Sequence, residues 1–261
     1  MPEGDTVWLA GRRLHEALAG QQLTTSDFRV PQLATTDLAG RIIREVVSRG
    51  KHLLTRIDDD LTLHTHFRMD GTWHLYRPGD RWRGGPDWQV RVVLATDQWQ
   101  AVGYRLPVVN LLARGDEHLV VGHLGPDILG TDWDVDEALR RLTSAPEREI
   151  GEALIDQRNL AGIGNLYNAE SLFLARVSPW LLVRDVPDVA TVVEQARRLL
   201  TINRQHPQQV TTGVNRRGQE HWVFERAGKP CRRCRTAVTV ARQGRPPFDR
   251  LTYWCPTCQP I

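Results

Sequence analysis

Four cysteines in the last 31 residues constrain this 261-residue chain more than any other feature. They are spaced as Cys231-x2-Cys234, twenty residues, then Cys255-x2-Cys258. Two short pairs separated by a loop of this length form the four-cysteine metal pattern. Zinc takes four thiolates in a tetrahedron, and each pair supplies two from one knuckle. The alternative, two disulfides, suits an exported chain. Here the N-terminus is acidic and lacks the apolar core of a signal peptide. One structural Zn2+ is therefore expected on Cys231, Cys234, Cys255 and Cys258. With all four thiolates used, no ligand position remains for a reactive water. The intervening segment reads as a β-hairpin, with strands near 238–242 and 251–254 and Arg250 near its tip.

Charge is concentrated around the same module. Residues 212–261 carry ten Lys/Arg against three acids, which leaves residues 1–211 at −4 within an overall charge of +3. A basic terminal module suits an anionic polymer, with nucleic acid first among the candidates. Of the 34 basic residues only Lys51 and Lys229 are lysine. Lysine is a compact point charge and arginine a planar fork, so a rare lysine marks a position that wants the former. No apolar run reaches the ~18 residues of a membrane helix. A cytosolic protein without a membrane partner is expected.

The chain opens Met1-Pro2-Glu3-Gly4. Removal of the initiator Met would give Pro2 a free secondary amine. An α-amino group titrates near 7.7–8, so an uncharged fraction persists at neutral pH. Such an amine is a nucleophile toward aldehyde-like carbon, and Glu3 beside it is a candidate general acid. Together they outline Schiff-base chemistry.

Periodicity predicts an amphipathic helix over 4–19, with Val7, Ala10, Leu14 and Leu18 on one face and Gly20 as its stop. Short strands follow at 42–48, 52–57, 61–67, 72–76, 89–96, 99–104 and 108–113. Turn clusters separate them, which suits a β-sandwich or barrel. Helical texture returns at 135–142, 150–156, 166–173 and 188–204. Gly162-Ile163-Gly164-Asn165 forms a tight turn between two of these helices, with Asn165 placed as an N-cap. His64 and His66 alternate on one strand face without a third ligand at suitable spacing. They read as structural histidines.

The ordered set of motifs resembles the Fpg/Nei DNA glycosylases, formamidopyrimidine-DNA glycosylase and endonuclease VIII. Pro2-Glu3-Gly4, Arg49-Gly50-Lys51-His52-Leu53-Leu54 and His66-Phe67-Arg68-Met69-Asp70-Gly71 carry the resemblance in the first half. Asp156-Gln157, the run 162–170 and the zinc segment ending Cys255-Pro256-Thr257-Cys258-Gln259 carry it in the second. The implied fold is α+β: an N-terminal helix and β-sandwich domain, then a helix–two-turn–helix domain with a zinc-finger hairpin. Expected boundaries are 1–121, a linker at 122–131, 132–224 and 225–261.

The resemblance implies excision of oxidised bases by Pro2 attack on the deoxyribose C1′, with Glu3 supplying protons. β- and δ-elimination would then cut the strand at the abasic site. Lys51 matches an active-site lysine on a phosphate beside the lesion. Asn165 matches a phosphate-holding asparagine, and Arg250 the finger arginine that grips phosphates around the flipped nucleotide. Met69 matches the wedge that fills the emptied stack. The implied partner is damaged double-stranded DNA, with single-stranded or bubble DNA as further substrates, bound by a monomer acting at the nucleoid.

Pro2-Glu3-Gly4-Asp5 lies closer to the endonuclease VIII branch than to the Pro-Glu-Leu-Pro of Fpg proteins. The segment 104–109 also lacks the phenylalanine of the Fpg Arg-x-Phe pair. Both departures favour oxidised pyrimidines. Arg68-Met69-Asp70 also differs from the Gln-Leu-Tyr wedge of the best-known endonuclease VIII. Two other readings stay open on sequence: a weakly catalytic binder of damaged DNA, and a zinc-ribbon regulator or RNA-binding protein.

Overall fold

The computed structural model describes every residue except Met1 and Phe248. The chain divides into two compact units, Met1–His123 and Leu124–Ile261.

The first unit opens with α1 (Gly4–Leu18), which presents Val7, Leu14, Ala17 and Leu18 inward. Eight strands follow: β1 (Thr25–Phe28), β2 (Ile43–Arg49), β3 (His52–Ile57), β4 (Leu61–His66), β5 (Thr72–Tyr76), β6 (Val90–Ala95), β7 (Gln100–Tyr104) and β8 (Val108–Ala113). They form two four-stranded antiparallel sheets, ordered β1-β6-β7-β5 and β2-β3-β4-β8. One core holds Phe28, Val92, Leu94 and Ala101 from one sheet with Ile43, Leu53, Leu63 and Val109 from the other. Strands whose alternate residues bury on one face build a sandwich in this way. β1 was not legible in the sequence because Thr25-Ser26-Asp27-Phe28 carries one buried apolar residue. Its place depends on pairing with β6, from Thr25↔Ala95 to Phe28↔Val92. The short α2 (His118–Val121) closes the unit.

The second unit begins with a buried stretch, Leu124–Leu129, that bridges to Ala161 through Asp127. The helices are α3 (Val135–Thr143), α4 (Ile150–Ile155), α5 (Asn165–Ala175) and α6 (Val189–Asn203). Asp134 and Asp188 cap α3 and α6 by accepting from Glu137 N–H and Thr191 N–H, as short acidic residues do at N-caps. The unit ends in the hairpin β9 (Thr239–Gln243) and β10 (Arg250–Trp254). Glu170, fully buried on α5, accepts from the backbone N–H groups of Trp222, Val223 and Phe224 and from the Thr211 hydroxyl. One carboxylate thereby fixes the segment that leads into the cysteines.

Candidate DNA-repair site

In the first unit, Glu3 is the N-cap residue of α1, and its carbonyl accepts from Val7 N–H at 3.1 Å. Its side chain is fully buried, while Pro2 is half-buried. Carboxylates are almost never fully buried without a partner or a function. The α1 N-terminus also places its first-turn N–H groups toward this position. The state of Met1 lies outside the described residues.

Lys51 sits in the two-residue turn between β2 and β3, where Arg49 and His52 are paired. Gly50 takes φ +56°, as the first central residue of a primed hairpin turn requires. A glycine here thus fixes where the lysine stands.

Met69 is 66% exposed, on the turn between β4 and β5. A methionine filling core would be covered; this one is not. The turn is tight: a Cβ on Gly71 would lie 2.7 Å from the Phe67 carbonyl oxygen. Arg105 holds it from the side, donating to the Asp70 carbonyl at 3.1 Å and bonding Gln89 and the Gly84 carbonyl. Sequence reasoning missed Arg105, which stands alone between Tyr104 and Leu106.

The histidine expectation needs enlarging. His52 pairs across the ladder with His66, and its Nδ1 lies 2.9 Å from Nε2 of His64. His123 adds a fourth ring, 6.1 Å from His52. Burial pushes His52 down to about 3, helped by His66, His64, His123 and Lys51, and pushes His64 and His66 to about 4. The rings are therefore neutral and packed against one another. Register across β3 and β4, rather than spacing along one strand, brings them together.

In the second unit, the four Sγ atoms lie within 4.8 Å of one another. Among the described residues no other such group is found. Cys231 and Cys258 are 3.9 Å apart, and Cys234 and Cys255 are 3.4 Å apart. Disulfide sulfurs lie at about 2.05 Å. Zn–S bonds of ~2.3 Å in a tetrahedron separate sulfurs by about 3.8 Å. The cluster is thus built for a metal ion held by four thiolates. Gln259 braces it: its Oε1 accepts from Cys255 N–H, and its amide donates to the Val177 carbonyl.

Asn165 does not cap α5. Gly164 holds the N-cap position, and Asn165 is the first helical residue. Its side-chain amide donates instead to the Leu251 carbonyl at 2.7 Å, tying the hairpin to α5. Arg250 is the first residue of β10, paired with Gln243, rather than lying just before the strand. It is exposed. Charge counting overstated the free cations of this module. Arg232 donates to the His221 and Gly218 carbonyls, Arg233 lies over the Phe173 ring, and Arg242 pairs with Asp249. Arg245 and Arg250 form no ion pair among the described residues.

Residues 1–105 match the model of the formamidopyrimidine-DNA glycosylase N-terminal domain, and residues 124–214 match that of the formamidopyrimidine-DNA glycosylase H2TH domain. The chain belongs to the Fpg/Nei family. It is 56% identical over 261 residues to a probable endonuclease 8 2 of Streptomyces coelicolor, covering 99% of this chain and 94% of that protein. It is 42% identical to the DNA-(apurinic or apyrimidinic site) lyase Nei2 of Mycolicibacterium smegmatis, covering 99% of each. These relatives place it on the endonuclease VIII side. In fold it is similar to Lactococcus lactis Fpg solved with abasic-site DNA, with a TM-score of 0.82 at 21% identity over the whole of both chains. A structure of MutM with DNA containing carbocyclic 8-oxo-G gives 0.81 at 22%, again over both whole chains. No helix among the described residues is long and apolar enough to cross a membrane.

Proposed function

We infer that the chain is a bifunctional DNA glycosylase and AP lyase of the endonuclease VIII branch. The observation that carries this reading is 42% identity, along essentially the whole length, to a protein named as an abasic-site lyase. The intact Pro2-Glu3 pair at the start of α1 supports it.

After loss of Met1, the Pro2 nitrogen attacks C1′ of the deoxyribose. The damaged base leaves with the proton lost from the Pro2 nitrogen, and Glu3 protonates the ring oxygen as the sugar opens. The resulting iminium acidifies the neighbouring C–H. β-elimination then breaks the C–O bond on the 3′ side, and δ-elimination the one on the 5′ side, leaving phosphate on both ends of the gap. Lys51 holds a phosphate beside the lesion, and Arg250 grips those around the flipped nucleotide, which must leave the stack to be reached. The exposed Met69 fills the vacated space. At Asn165 the α5 N-terminus offers backbone N–H groups to phosphate. The metal on Cys231, Cys234, Cys255 and Cys258 is one structural Zn2+, and residues 225–261 act as the finger. The protein works as a monomer on damaged duplex DNA, and on single-stranded or bubble DNA, with oxidised pyrimidines as the preferred bases.

Borohydride trapping tests the chemistry. Abasic DNA should give a stable covalent complex, because reduction converts the Schiff base to an amine. A chain with an uncleaved N-terminal tag should give none. Efficient trapping by the blocked chain would move the nucleophile away from Pro2.

A further inference from the structure

We infer that the cleft between α4 and the hairpin tip is a second phosphate subsite, in which Arg245 and Arg158 hold a DNA backbone phosphate beyond the one gripped by Arg250. The inference rests on the DNA-repair reading and extends it to residues that reading does not use. The cleft has a volume of about 480 Å³ and is lined by Arg148, Glu152, Asp156, Arg158, Arg245 and Arg250 among others. It lies wholly within the second unit.

Four guanidinium groups face two carboxylates, so two positive charges are left uncompensated around one cavity. Like charges held together repel, and an entering anion relieves that repulsion. The arginines fall into two kinds. Arg158 grips Asp156 with two parallel bonds, Nε at 2.9 Å and Nη2 at 2.7 Å, and Arg148 reaches the same carboxylate at 2.9 Å. Burial works against ionisation of Asp156, but hydrogen bonds from Arg158 and Arg148 overcome it and hold the carboxyl well below its usual range. A bidentate pair fixes the plane of a guanidinium. The remaining N–H groups of Arg158, whose side chain is 71% exposed, are left open to an incoming ligand. Arg245 is exposed and has no hydrogen bond or ion pair among the described residues.

The two walls are locked together before any ligand arrives. Gln243 is buried. Its amide donates to Glu149 and to the Pro179 carbonyl, and its Oε1 accepts from Thr252. A Cβ on Gly151 of α4 would crowd the Gln243 amide, so glycine at this position leaves that amide room for its bonds. A preformed site loses little ordering entropy on binding. Arg250 lines this cleft as well, so a strand whose phosphate meets Arg250 passes its mouth. That continuity selects DNA over an unrelated acidic partner.

The test is a salt series of lesion-DNA affinity for the full chain. Arg245→Ala should weaken binding several-fold and reduce the log–log salt slope by ~0.9, the value of one duplex phosphate contact. Arg245→Lys should restore most of the slope. Glu152→Gln, which removes a carboxylate from the same cleft, should tighten binding. A purely structural role for Glu152 would not produce that gain. Matched thermal melts control for folding. Native slope and affinity in Arg245→Ala, or weaker binding in Glu152→Gln, would overturn the subsite. If the native chain traps abasic DNA while Arg245→Ala is unaltered, the subsite fails and the repair reading stands. If the native chain traps nothing, the repair reading itself fails.

Discussion

Glu3 occupies a costly position for a carboxyl, fully buried at the first turn of a helix. Its side chain accepts no capping bond from that helix, so α1 does not need it for capping. In the proposed mechanism its part is to transfer a proton. Glu3→Gln should keep lesion-DNA binding and lower base excision by ~10²–10⁴, the usual worth of a positioned proton donor. Abasic substrates need no base removal and should lose less. Parallel single-turnover assays on intact-lesion and abasic duplexes measure the difference, and equal losses on both would remove Glu3 from the base-expulsion step. The four-cysteine cluster was legible because its ligand spacing is written directly in the sequence. Arg105 was not, since its clamp on the Met69 turn depends on β7 lying beside β5.

At the scale of elements, local pattern located strands and helices, while pairing decided what they do. β3, β5 and β8 fall where the turn residues between them placed them, because turn clusters mark the ends of short strands. β1 escaped, since its stability comes from β6 rather than from its own residues. Asn165 shows the same competition: a good capping type was drawn away by the hairpin carbonyl of Leu251. The histidine face has a consequence for stability. His52, His64 and His66 hold folded-state values of about 3 to 4, below the ordinary 6.5. As pH falls, protons therefore bind the unfolded chain first. The stability of the neutral cluster is complete above pH 6.5 and is lost progressively down to about pH 3–4. Thermal melts across pH 7 to 4 should show Tm falling by several degrees. His64→Gln should start lower at pH 7 and fall less steeply. A parallel fall in both proteins would dissociate the cluster from acid sensitivity.

At the scale of the whole molecule, each unit has its own means of stability. The first encloses an apolar core between two sheets and α1. The terminal hairpin of the second has two short strands, and an isolated hairpin of that size is marginal in water. A metal on four thiolates would fix the ends of that hairpin, adding to its hydrogen bonds with Glu149, Pro179 and Asn165, since metal binding by an unformed site is itself folding free energy. Thiolate ligation also leaves no position for water, so the ion cannot take part in the chemistry proposed for Pro2. The two functions should therefore separate on metal removal. Metal analysis should return one zinc per chain. Chelation should unfold the hairpin and with it the placement of Arg245 and Arg250, so lesion-DNA affinity falls by at least tenfold. Hydrogen exchange in β2–β4 should be unchanged, because no cysteine contributes to that sheet. Restoring zinc should restore affinity. A metal-free preparation that binds lesion DNA as tightly as the holoprotein would show that the hairpin stands without its ion.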